Sequence, residues 1–200
     1  MGVVRERGAA VVAALAVAVA TLSAVGAPGS GAALAGSTYV ALGDSYTAGP
    51  GIPLADPPYG CHRSTNNYPH LVAATLSLAL RDASCSGAET DDMTASQPVF
   101  PGPNPPQFDR LDGGTSLVTL QIGGNDIGFG EIVARCFSLV PLGTPCQDHF
   151  VVGGRDRLHE RIAALVTKVG EVVRGVRERA PSARVLVLGY PAILPDSGPG

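Results

Sequence analysis

Tryptophan is absent, lysine occurs once, at Lys168, and aromatic residues make up only 5% of the 200 positions. The formal net charge is −3. Such a chain has no basic stripe and no interleaving of basic and aromatic residues, so nucleic acid is not an expected partner. None of the four cysteines, Cys61, Cys85, Cys136 and Cys146, stands in a C-x-x-C pair. That spacing argues against a zinc site, and no metal or cofactor is expected. No internal repeat recurs, and no second long apolar run follows the N-terminal one, so no stable membrane span is expected in the mature chain. The length allows one domain with a sizeable core, expected to be a monomer.

The N-terminus reads as a targeting segment. Arg5 and Arg7 form a short basic start, and residues 9–22 are apolar but too few to span a bilayer comfortably. Ala33-Leu34-Ala35 then offers an A-x-A cleavage site, which makes residues 1–35 a secretory signal peptide. Glu6 separates the two arginines, so the general secretory route is expected rather than the twin-arginine one. An exported chain meets an oxidising compartment, where cysteines pair. Four cysteines allow three pairings, of which the sequential one is the simplest.

Three short apolar runs, residues 39–42, 117–122 and 184–188, read as buried strands, and residues 80–84, interrupted by Arg81 and Asp82, read as a weaker fourth strand. Between them lie helical patterns: one opened by Asn67-Tyr68-Pro69, one over residues 129–139, and an amphipathic one carrying Leu158, Ile162, Leu165, Val169, Val172 and Val176. Pro181 stops the last of these. Short helices are expected near residues 89–95 and 107–111. The Gly- and Pro-rich residues 47–64 and 98–106 read as loops over the strand ends. Strands alternating with helices imply an α/β fold with a parallel sheet and helices on both faces.

Three of the strands end in small polar turns: Gly43-Asp44-Ser45, Cys85-Ser86-Gly87-Ala88 and Gly123-Gly124-Asn125-Asp126. In open α/β sheets ligands sit at the carboxyl ends of strands. Catalysis by a serine nucleophile needs a base to take its proton and a site for the oxyanion it creates. Ser45 is the candidate nucleophile. The Ser45 N–H, the Gly87 N–H and the Asn125 side-chain amide are the candidate oxyanion donors. Gly87 carries no side chain to block close approach, and Asn supplies a neutral donor. Asp44 and Asp126 are expected to support the turns, Asp44 as a cap and Asp126 by fixing the loop that aims Asn125. Position 47 is Thr, so the G-x-S-x-G elbow of α/β-hydrolases is missing.

Ser, Gly and Asn in this order resemble the SGNH (GDSL-type) hydrolase family. Gly43-Asp-Ser-Tyr-Thr-Ala-Gly49, Asn66-Asn-Tyr-Pro69 and Gly123-Gly-Asn-Asp-Ile-Gly-Phe129 are most similar to its secreted actinobacterial lipase/esterase branch. The resemblance implies a three-layer α/β/α fold around a parallel flavodoxin-like sheet of five strands. It also implies the sequential disulfides Cys61–Cys85 and Cys136–Cys146, and a secreted serine ester hydrolase acting through an acyl-enzyme on lipid or small-molecule esters. An acyltransferase or thioesterase, or a non-catalytic carbohydrate- or lipid-binding module on the same fold, are the alternatives.

The family's general base is a histidine in an Asp-x-x-His block after the last strand. His62, His70, His149 and His159 all precede the strand at 184–188, and His149, after Cys146, reads as part of a loop. Asp156-Arg-Leu-His159 has the spelling but precedes a long helix, so His159 is expected to be a solvated first-turn residue. The base is therefore expected beyond residue 200, with residues 36–200 an SGNH domain incomplete at its C-terminus.

Overall fold

The computed structural model of the chain describes residues 35–57, 59–136 and 145–191. The leader and the cleavage site proposed at Ala33-Leu34-Ala35 lie almost wholly outside the described residues, as do residues 137–144.

Strand β1 (Thr38–Gly43) is the centre of the sheet. It is flanked by β2 (Ala79–Asp82) on one side and β3 (Thr115–Gln121) on the other, and all three run parallel. Two two-residue strands, β4 (Val151–Val152) and β5 (Arg155–Asp156), form a separate antiparallel hairpin. Strand β6 (Arg184–Val187) completes the main sheet beside β3, giving the order β2-β1-β3-β6. Successive residues of a strand face opposite sides, and β1 uses both. Val40 and Leu42 join Val118 and Leu120 in the larger apolar cluster. Tyr39 and Ala41 join Leu117 on the other face.

Helices cover both faces, so the molecule has the expected three layers. The four-residue helix α1 (Ser45–Ala48) follows β1 directly, and α2 (Tyr68–Leu76) packs Ala73 against the Tyr39 face. Asn67 caps α2 and Pro69 stands in its first turn. Helix α3 is Phe129–Cys136 and α4 is Pro145–Phe150. Helix α5 (Arg157–Arg179) brings Val172 and Val176 onto the Val40 face. Gly175 of α5 lies so close to Phe108 that a Cβ there would sit 2.6 Å from its ring.

The structure differs from the sequence reading in four places. The helices expected near residues 89–95 and 107–111 are single 3-10 turns, Thr90–Met93 and Gln107–Arg110. His149 lies in α4 rather than in a loop, three residues after Cys146, which is bonded to Cys136 of α3. The β4–β5 hairpin was not foreseen. Its two-residue turn is Gly153-Gly154, both with positive φ, as a type I′ turn requires. Finally, β6 is not a buried strand: Val187 is 56% exposed and Leu186 40%. It forms the edge of the sheet among the described residues, so its apolar residues lack a neighbour on the far side.

Candidate active site

The end of β1 is held from three directions. The Gly43 N–H donates to Gln107 Oε1 (2.8 Å), and Gln107 Nε2 donates to the Gly43 carbonyl (2.9 Å). The Cys85 N–H reaches the same carbonyl, and the Asp44 N–H donates to the Gln121 carbonyl of β3. A Cβ on Gly43 would lie 2.3 Å from Thr47 Oγ1 and 2.5 Å from the Gln121 carbonyl oxygen, so the turn into α1 admits only glycine there. Asp44 is the N-cap of α1: its Oδ1 accepts the Tyr46 N–H at 2.9 Å. Its Oδ2 accepts the hydroxyl of Tyr190. The side chain is 1% exposed. Burial raises the Asp44 pKa, against the bonds from Tyr190 and Tyr46, which hold it down. Ser45 follows as the first residue of α1, where an N–H has no carbonyl one turn behind it.

The turn after β2 is pinned by the Cys61–Cys85 disulfide. The Ser86 N–H donates to the Cys61 carbonyl (3.0 Å), and Gln97 Nε2 donates to the Ser86 carbonyl (2.9 Å). Gly87 follows at φ +81, a conformation that favours glycine. Among the described residues its N–H and that of Ser45 have no hydrogen-bond partner.

The turn after β3 carries Asn125 and Asp126. Asn125 Nδ2 donates to the Ala88 carbonyl at 2.9 Å, which ties this turn to the one holding Gly87. An amide nitrogen has two hydrogens, so one remains for a ligand. The Asp126 carboxylate accepts the Thr90 N–H and hydroxyl, and Lys168 Nζ of α5 at 3.1 Å. Its side chain is 3% exposed, so these three donors supply what water would otherwise give. Bonding to Asp126 raises the Lys168 pKa.

Ser45 and Asn125 line one cleft of about 280 Å³, with Asp44, Gly124 and Tyr190. The rest of its wall is largely apolar: Tyr46, Ile127, Phe129 and, from α5, Ile162 and Leu165. Gly87 is not part of that wall.

None of the four histidines lines the cleft. His62 is exposed in the loop before α2. His70 Nδ1 lies 2.7 Å from the Oδ1 of Asn67, the α2 cap. His149 Nε2 lies 2.8 Å from Glu131 Oε1 of α3, whose Oε2 accepts from Arg161. These two partners, His149 first, hold the Glu131 carboxyl down to about 2. His159 is exposed, and the Asp156-x-x-His159 spelling is a helix cap: Asp156 Oδ1 accepts the Leu158 and His159 N–H groups at the start of α5.

Three residues that hold the site were not singled out from sequence. Gln107 clamps β1, Lys168 pairs with Asp126, and Tyr190 bridges Asp44 and Gly124. The one available signal was the position of Tyr190, directly after a strand at the sheet's carboxyl end.

The model of a family described as the GDSL-like lipase/acylhydrolase family matches residues 41–200. A Streptomyces coelicolor protein named Lipase 2 is 45% identical over 163 residues, covering 78% of this chain and 53% of its own length. The lipase of Streptomyces rimosus is 36% identical, covering 76% of this chain and 52% of its own. The chain thus spans about half the length of the curated relatives it matches. Among solved structures, the extracellular lipase of S. rimosus superposes with a TM-score of 0.67 at 33% identity, over 81% of this chain and 63% of that one. Phospholipase A1 of Streptomyces albidoflavus superposes with a TM-score of 0.63 at 35% identity, over 82% and 64%.

Proposed function

Because the chain belongs to the GDSL-like lipase/acylhydrolase family, we propose that it is the Ser45-bearing part of a secreted carboxylic ester hydrolase. The observation that carries this reading is that Ser45 and Asn125, from turns eighty residues apart, line one largely apolar cleft at the carboxyl ends of β1 and β3. Ser45 Oγ attacks the acyl carbon, its proton passes to a general base, and the carbonyl oxygen becomes an oxyanion. The donors are the N–H groups of Ser45 and Gly87, which have no partner among the described residues, and the second hydrogen of Asn125 Nδ2. Collapse of this intermediate breaks the ester bond, and the base returns the proton to the leaving alcohol. Water then hydrolyses the acyl-serine by the same steps.

The base is assigned to a histidine outside these 200 residues, since the described histidines serve caps, an ion pair and the surface. The substrate is an ester with an apolar acyl part, which Ile127, Phe129, Ile162 and Leu165 would shield from water.

The full-length protein should hydrolyse nitrophenyl esters, faster with a medium acyl chain than with acetate. Ser45→Ala should remove this activity. Equal activity of the variant would overturn the reading.

A further inference from the structure

Three strand ends converge on one phenol oxygen. The Tyr190 hydroxyl donates to Asp44 Oδ2 after β1 and accepts the Gly124 N–H (3.0 Å) after β3, while Tyr190 itself follows β6. Gln121 Nε2 donates to the Gly189 carbonyl (2.8 Å), fixing the backbone just before the tyrosine. Gly124 lets the ring in: a Cβ there would stand 3.2 Å from the Tyr190 ring and its oxygen.

We propose that Tyr190 is a positioning residue for the reaction at Ser45, locking the turn that carries the nucleophile to the turn that carries Asn125. The inference rests on the function proposed above and adds to it a group that need not touch the ester. Asp44 caps α1 through the Tyr46 N–H, so its carboxylate sets where Ser45 sits. Gly124 precedes Asn125, so its amide sets where the oxyanion donor sits. One hydroxyl serves both, and it can do so because it is donor and acceptor at once. Burial, then the bond to Asp44, pushes the phenol pKa up, which keeps the proton in place. The ring also packs edge-on against Tyr46, with centroids 5.0 Å apart. That contact does not need the oxygen.

Tyr190→Phe therefore isolates the hydroxyl. The ring contact survives, while Asp44 Oδ2 loses a donor and the Gly124 N–H loses its acceptor. The two turns are then no longer held in common register. Misplacement of about 1 Å in such a site can cost on the order of a hundredfold in rate.

The test uses the full-length protein and a fluorophosphonate probe. The Ser45 Oγ–P bond forms as P–F breaks, fluoride leaves, and the serine proton goes to the base. Partial unfolding lowers the amplitude of this labelling or scales its rate constant by the folded fraction, so a sample that is half folded loses no more than about twofold in rate. In Tyr190→Phe it should fall roughly 10- to 100-fold. Amide exchange should quicken at Gly124 and Tyr46 and stay slow at Val118 and Leu120 in β3. Labelling at the parental rate would overturn the inference and leave Ser45 as the nucleophile. Faster exchange across β3 as well would make Tyr190 a general structural support, which also overturns it. No labelling of Ser45 in the unsubstituted protein would remove the proposed function and this inference together.

Discussion

At the residue scale, Asn125 offers the sharpest separation of binding from chemistry. One of its amide hydrogens is spent on the Ala88 carbonyl, and in the proposed function the other meets charge that develops only during reaction. In the full-length protein, Asn125→Ala should lower kcat by about a hundredfold or more with little change in KM. Steady-state kinetics would show this, and an unchanged kcat would remove Asn125 from the mechanism. The turns that bear Ser45, Gly87 and Asn125 could be read from sequence because each closes a strand-like run with small polar residues. Their supports could not. Tyr190 is 146 positions from Asp44, Gln107 is 64 from Gly43 and Lys168 is 42 from Asp126. Single-sequence patterning reports local periodicity, and these pairings depend on how the strands are ordered in the sheet.

At the element scale, helices α3, α4 and α5 meet at Glu131, which takes bonds from His149 and Arg161. The carboxyl is depressed in the folded state to about 2 from an ordinary 4.5. A depressed carboxylate stabilises the fold above its unfolded pKa, and that contribution is lost as pH falls through the folded value. Stability should therefore decline between about pH 4.5 and 2, and Glu131→Gln should flatten that part of the curve. Urea midpoints across this range measure it, and identical slopes for both proteins would contradict the assignment. Helix α5 was legible from its spacing of three and four, and β1, β3 and β6 as short apolar runs closed by turn residues. The β4–β5 hairpin was not, since two-residue strands have no period. The exposure of β6 was missed because an apolar run does not say whether its strand is central or at an edge.

At the scale of the whole molecule, the two disulfides and the N-terminal pattern support export, which we hold as part of the proposed function. Among the described residues, the Gly36 N–H, next to the proposed cleavage site, donates to the Ser77 carbonyl. Secreted protein should start near Gly36 on N-terminal sequencing, and a mature chain retaining residues 11–19 would refute the leader. The parallel sheet with helices on both faces followed from the alternation of strands and helices. The cleft did not, because its wall draws on the segments after β1 and β3, on α5 and on the segment after β6 together. The central claim is that this cleft holds an acyl-enzyme on Ser45. The most direct measurement is peptide mass spectrometry of the full-length protein quenched during turnover of a slow ester. A single acyl adduct on the peptide containing Ser45 is the expected result, and an adduct confined to any other residue would contradict the account.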